Sequence, residues 1–308
     1  MDTATAEVKE MPSAAAAVDA AASQGNRLTA FIELTKPRIA FLLVLTSAAG
    51  FYLGSGAEVD YVRFLNAMIG ITLLAFGVAT LNQFIERDLD MLMERTARRP
   101  LPTGRVTPRE ALIFGIAQCV AAELYILFLV NPLTALLGLL VIVGYVLMYT
   151  PMKTRTSVST AVGAIPGALP PLMGWTAAAD QISITAWALF VMQFLWQFPH
   201  FLAIAWMYRE QYAKAGIKML PVVEPEGRIT ARQIVMFTIM LVPVSLAPTF
   251  FGLTGTMYLA GALLLGIGFL YASVRAARSK SDRDARSLLL VSVIYLPLLF
   301  VLMVADKL

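Results

Sequence analysis

Apolar residues run along this chain in long, nearly uncharged blocks and not at amphipathic spacing. Nine blocks have spanning length, at about 39–57, 64–83, 109–130, 133–150, 158–178, 183–206, 233–253, 256–274 and 287–305. Each approaches the roughly 20 residues a helix needs to cross a hydrocarbon core. Backbone groups there have no water to bond, so helices are the expected solution. The pattern predicts an all-α, polytopic membrane protein with nine transmembrane helices.

Composition agrees: 58% of the 308 residues are hydrophobic, 14% are charged, and the mean hydropathy is +0.73. Charge placement adds an orientation. Of the 24 Lys and Arg residues, 22 fall on one side of the predicted helices; Arg63 and Lys307 take the other. By the positive-inside rule the N-terminus and the long loops are cytoplasmic and the C-terminus is outside. The net charge of +4 then reflects topology and anionic lipid, not nucleic acid. Residues 1–27 are Ala- and Ser-rich with scattered acids, unlike a mitochondrial presequence or a secretory signal, and read as a disordered tail ahead of one transmembrane domain at 28–308. The single cysteine, Cys119, excludes an intrachain disulfide and reads as a packing residue.

The two faces differ. Outer connections are short, whereas the loops after the second and sixth blocks are long, charged and rich in proline. The first of these carries Asn82, Glu86 and Asp90 at four-residue intervals. In a helix they fall within about 80° of one face, with the outer two about 12 Å apart. That is too far for one ion to touch all three but ample for two hard cations bridging a polyphosphate; such oxygens suit Mg²⁺ shared with a substrate phosphate, and these three are the expected metal ligands. Arg87, Arg95, Arg98 and Arg99 follow closely, as guanidinium groups that read phosphate bidentately. Lys153 and Arg155, after the fourth block, lie on the same side and are expected to reach the same phosphate. A charged run of this kind is usually a solvated helix end, but its periodicity and continuity with a membrane segment favour a site.

A second polar stretch after the sixth block contributes Arg209, Glu210 and Lys214, with fewer acids, and reads as an anion clamp. The two stretches suggest a duplicated bundle with two half-sites facing one cavity. His200, the only histidine, stands among Trp196, Phe198 and Phe201. It is either an interfacial histidine beside Pro199 or a ligand to a large planar acceptor. Glu123 is an ionisable residue inside a predicted membrane helix, which marks a pocket or a buried pair.

Asn82-x-x-x-Glu86-x-x-x-Asp90 after the second block, with a second polar motif after the sixth, resembles the UbiA superfamily of intramembrane prenyltransferases. Further stretches resemble the haem-modifying branch of that superfamily. They are Thr35-Lys36-Pro37-Arg38, Glu94-Arg95-Thr96, Arg98-Arg99-Pro100-Leu101-Pro102, Tyr149-Thr150-Pro151-x-Lys153, Trp196-Gln197-x-Pro199-His200-Phe201 and Ala215-Gly216-x-x-Met219-Leu220-Pro221. The likeness spans about residues 30–305. It departs from the superfamily at Gln83 and Gln211, where acids are usual, and at Glu86, where Asp is usual, which leaves Glu86 and Asp90 as the firmer metal pair.

The resemblance implies a UbiA-type bundle of nine helices around a central cavity open to the cytoplasmic face of a bacterial inner membrane. It implies farnesyl diphosphate as donor, Mg²⁺ as cofactor and haem B as acceptor, giving haem O. A haem A synthase or an oxidase assembly factor is the expected partner downstream. On this reading Asn82, Glu86, Asp90 and Lys153 are catalytic. Arg87, Arg95, Arg98, Arg99, Lys153, Arg155, Arg209 and Lys214 bind diphosphate, and His200, Trp196 and Phe198 meet the acceptor. Competing readings are a prenyltransferase with an aromatic quinone-precursor acceptor, a CDP-alcohol phosphotransferase, whose glycine-spaced aspartates are missing here, and a transporter, which the nearly uncharged outer loops disfavour.

Overall fold

The computed structural model describes residues 27–308 and is all-helical apart from one isolated bridge, Thr254 to Lys307. The expected tail lies outside the described residues except for Arg27, which already begins a helix. The elements are α1 (Arg27–Leu34), α2 (Pro37–Gly54), α3 (Tyr61–Asp90), α4 (Pro108–Leu129), α5 (Pro132–Met152), α6 (Ser159–Gly167), α7 (Leu169–Ala179), α8 (Ile184–Met207), α9 (Arg209–Lys214), α10 (Leu220–Val223), α11 (Arg228–Phe250), α12 (Thr256–Ser279) and α13 (Asp282–Ala305). Eight of these are long and apolar enough to cross a membrane.

The fifth predicted span, 158–178, is not one helix. It breaks at Ala168 into α6 and α7. Pro170 and Pro171 carry no N–H, so the carbonyls of Pro166 and Gly167 lose their helical donors. Gln193 of α8 supplies one replacement, donating from Nε2 to the Gly167 carbonyl at 2.9 Å, and Gln197 donates to Ala164 O at 3.0 Å. Both glutamines are buried. An unsatisfied carbonyl at this depth would be costly, and the Gln193 amide makes the break tolerable, while Gln197 braces a carbonyl that keeps its helical donor, Ala168 N.

Two further differences shape the site. The helix over the second block continues past Gln83 to Asp90, so Glu86 and Asp90 stay on a helical face. The fourth span changes to π-helix over Ile142–Tyr149. With wider turns, Tyr145 and Tyr149 lie on the same side, their rings 4.9 Å apart. Such π segments often mark functional sites.

Close packing rests on small residues, as expected where helix and lipid are equally apolar. Helices α2 and α7 cross at Gly50 and Gly174, where an added Cβ would strike the carbonyls of Pro171 and Ser47 respectively. The same logic places Gly77 of α3 against Cys119 of α4, which confirms that cysteine as a buried packing residue. On the loop side, Met93, Ala205, Ala215, Ile217 and Met219 form one buried cluster. This joins the loop after α3 to the loop after α8 and brings the two polar stretches together.

Candidate active site

A cavity of about 340 Å³ lies inside the bundle, walled by α2, α3, α5, α6, α7, α8 and α13. Its body is apolar, with Leu43, Leu74, Val78 and Met173 on its walls, and its loop-side end is polar, with Lys36 and Tyr149. Ile39, Leu42 and Val293 line it as well and are also exposed on the protein's surface, so the cavity reaches the bilayer side between α2 and α13.

The polar end is a layer of alternating charges. Lys36 Nζ donates to Asn82 Oδ1 at 2.8 Å, Lys153 Nζ to Glu86 Oε1 at 2.5 Å, and Arg99 Nη1 to both oxygens of Asp90 at 2.8 and 2.7 Å. Asn82, Glu86 and Asp90 are 2%, 7% and 1% exposed, so these pairs are not surface ion pairs that water screens. The elements explain the convergence. Lys36 sits at the start of α2 in the left-handed conformation (φ 49°), ahead of Pro37, which turns its side chain across the end of α3. Lys153 follows α5 directly, and Thr150 on that helix accepts from Asn82 Nδ2 at 3.2 Å.

Burial pushes the Lys36 ammonium down to about 7, helped by Arg99 and Lys153 and opposed by Glu86 and Asp90. Burial opposes the charge on Lys153 more than any single neighbour supports it, but Glu86, Tyr149 and Tyr145 together hold that lysine well above its ordinary value. The ring of Tyr149 supports the same ammonium, with Nζ 4.5 Å from its centroid.

The layer contains a hard-oxygen donor set: two carboxylates and an amide on one helical face. Among the described residues no three His, Cys, Asp or Glu side chains form a cage for a metal ion. Asn82, Glu86 and Asp90 fit Mg²⁺ that is shared with a bound phosphate and water, as Mg²⁺ generally is, and the outer two, about 12 Å apart along the helix, are too far apart for one ion to touch all three.

Other expected residues fall in different places. Arg95 bridges the two polar stretches: its guanidinium lies 4.6 Å from the Tyr208 ring centroid and bonds Tyr212 Oη at 2.9 Å. Arg98, Arg155 and Lys214 are exposed. Two of the expected phosphate ligands are turned elsewhere. Arg87 bonds the Phe84 carbonyl on its own helix and pairs with Asp88 at 3.5 Å. Arg209 bonds Trp206 O and pairs with Asp282 at the start of α13, at 2.5 Å. Gln83 does not face the layer. It donates to Leu34 O at 2.8 Å and to Glu33 O at 3.4 Å, tying the end of α1 to α3.

His200 and Trp196 line the cavity, their rings stacked 4.6 Å apart at 23°. Phe198 does not join them. It is buried against α11, face to face with Phe237 at 3.7 Å. Glu123 lies against Gly138 of α5, away from the cavity lining, with Oε1 lacking a hydrogen-bond partner among the described residues. Sequence reasoning missed Lys36 as a member of the charge layer, although its place directly before Pro37 was a readable signal. Tyr149 stood in a recognised stretch without being given a role, and Ser292 was marked by no pattern.

Comparison with known proteins identifies the family. The model of the UbiA prenyltransferase family matches residues 43–299. A protein of Solibacter usitatus named protoheme IX farnesyltransferase is 49% identical over 286 residues, covering 90% of this chain and 98% of its own. One of Myxococcus xanthus with the same name is 41% identical, covering 90% and 94%. Among solved structures, that of a digeranylgeranylglyceryl phosphate synthase in membranes superposes with a TM-score of 0.77 at 17% identity, covering 91% and 98%. A UbiA homolog of Archaeoglobus fulgidus bound to GPP and Mg²⁺ gives 0.66 at 18%, covering 90% and 99%. These structures share the fold. The chain belongs to the UbiA prenyltransferase family.

Proposed function

We propose that this protein transfers a farnesyl group from farnesyl diphosphate to a vinyl group of haem B, giving haem O. The observation that carries the reading is the joining of two ends in one cavity: a buried layer of cations and hard oxygens at one end, and a half-buried imidazole stacked on an indole that lines it. The name shared by relatives that align along nearly their whole length supports the choice of donor and acceptor.

The donor's diphosphate enters the charge layer, where Lys36, Lys153 and Arg99 neutralise it and so favour its departure. Mg²⁺ held at Glu86 and Asp90, with Asn82 offering a further oxygen along the same face, would stabilise the same leaving group. Before substrate arrives, each of these oxygens is covered by one of the three cations. An incoming diphosphate draws the cations to itself and leaves the oxygens free, so binding of anion and metal is coupled. The farnesyl chain lies along the apolar wall between α2 and α13. As the bond from C1 to oxygen breaks, its electron pair leaves with the diphosphate, and the vinyl π electrons form the new bond to C1. The resulting cation beside the porphyrin takes up water and releases a proton. Until then the apolar wall excludes water that would intercept the farnesyl group.

The reading implies a bacterial inner membrane location with the charge layer on the cytoplasmic side. It is tested by incubating purified protein with haem B, labelled farnesyl diphosphate and Mg²⁺ and analysing the product by mass spectrometry. A haem product heavier by one farnesyl group and one hydroxyl group is expected. Label appearing on 4-hydroxybenzoate and not on haem would overturn it in favour of the aromatic-acceptor reading.

A further inference from the structure

His200 has two ring nitrogens in different surroundings. Nδ1 lies 2.8 Å from Ser292 Oγ on α13. Nε2 has no partner among the described residues, and the ring lines the cavity. The role of each nitrogen depends on where the Ser292 proton goes. Ser292 Oγ also lies 2.6 Å from the Leu289 carbonyl one turn earlier. A carbonyl only accepts, so a hydroxyl rotated toward His200 would leave two oxygens facing each other at that distance with no proton between them. The Ser292 proton therefore goes to Leu289, and the hydroxyl's remaining capacity is to accept. His200 then donates from Nδ1, and its Nε2 presents a bare lone pair to the cavity.

Ser292 holds a second ring as well. Its backbone carbonyl accepts from Trp196 Nε1 at 2.9 Å. The residue is completely buried, so both bonds are made away from water. One position on α13 thus fixes the tautomer of the imidazole and the tilt of the indole stacked on it.

We propose that Ser292 is the positioning residue of the acceptor end: it commits His200 to the tautomer whose Nε2 can ligate the iron of a metalloporphyrin. The inference rests on the haem reading of the cavity and specifies how the site grips that acceptor. Partners that orient a metal-ligating histidine typically contribute about 10- to 100-fold to affinity.

The test uses the full chain in detergent, titrated with haem B in the absence of farnesyl diphosphate and followed by absorption. Ser292→Ala is expected to weaken haem binding about 10-fold or more and to lose the imidazole-ligated spectrum. Ser292→Thr, which keeps the hydroxyl and its bond to the preceding turn, is expected to restore both. Ser292→Cys, close in volume but a poor acceptor, should resemble Ser292→Ala and serves if the alanine variant does not fold. Binding of pyrophosphate with Mg²⁺ should be unchanged throughout. If Ser292→Ala and Ser292→Cys keep the wild-type spectrum and affinity while His200→Ala loses them, the role of Ser292 is refuted and the haem reading stands. If His200→Ala itself binds haem as wild type does, the reading on which the proposal rests fails first.

Discussion

Lys153 and Glu86 meet at 2.5 Å although 67 residues separate them, and the contact joins the end of α5 to the last turns of α3 inside a mostly apolar bundle. A pair at this depth is weak evidence for stability, because desolvation offsets much of the attraction. Its better explanation is poise: charge held ready for a ligand that rearranges it. Glu86→Gln and Asp90→Asn keep the shape of the layer and remove one negative charge each. Turnover should fall by about 100-fold or more, the scale typical of losing one preorganised electrostatic contact, while the variants still elute as folded protein on size exclusion. Activity within a few fold of wild type in either variant would remove that residue from the metal set.

Gln83 offers a separate test, because it ties two helices together instead of facing the charge layer. Here its amide is a donor to the last carbonyls of α1. Gln83→Glu replaces the donor with an acceptor facing two carbonyls, so it should behave as a buried unpaired group and cost about 1–3 kcal/mol. Thermal unfolding in detergent measures this. An unchanged or raised midpoint would show that the position tolerates the acid and that α1 is not anchored through it.

The spans were legible because crossing a bilayer demands long apolar runs, and little else satisfies that demand. The break at Ala168 was not, since prolines and alanines keep a block apolar while the missing N–H groups divide it. What repairs the break, Gln193, comes from another helix and leaves no trace in the local pattern. Asn82, Glu86 and Asp90 were legible because a four-residue spacing survives as one face of α3. Arg87 was misjudged by nearness in sequence: one residue from Glu86 is about 100° around the helix, which turns it to Phe84 and Asp88. The pairing of Trp196 with Phe198 carries the same lesson. Two residues are about 200° apart on a helix, so only one of them could face the cavity. Arg209 was beyond sequence reasoning, because its partner Asp282 lies 73 residues later.

Arg95 connects the two polar stretches through Tyr208 and Tyr212 and makes no contact with the charge layer itself. Its removal should loosen the loop that carries Arg99 without removing a ligand. Arg95→Ala loses one cation–π contact and one hydrogen bond, together about 1–2 kcal/mol. The expected result is a KM for farnesyl diphosphate raised about tenfold, with kcat changed much less. Kinetics at saturating haem B separate the two constants, and a collapse of kcat with unchanged KM would instead place Arg95 among the groups that act on the leaving group.

Tyr149 supports Lys153, and Gly163 of α6 makes room for Tyr149. A Cβ at Gly163 would lie 2.5 Å from Tyr149 Cδ2, too close to Lys153's platform for the ring to stay in place. Gly163→Ala is therefore expected to lower stability by about 1–3 kcal/mol, as overpacking does, and to lower activity by displacing the lysine that pairs with Glu86. Gly268→Ala is the control, since a Cβ there meets nothing within 4 Å; it should leave activity unchanged and raise stability by about 0.5–1 kcal/mol, as Ala for Gly inside a helix does. Adding Tyr149→Leu to Gly163→Ala relieves the crowding but withdraws the aromatic face from Lys153. The double variant should recover stability and not activity. Recovery of both would mean that the ring only fills space, and that Lys153 needs no support beyond its carboxylate.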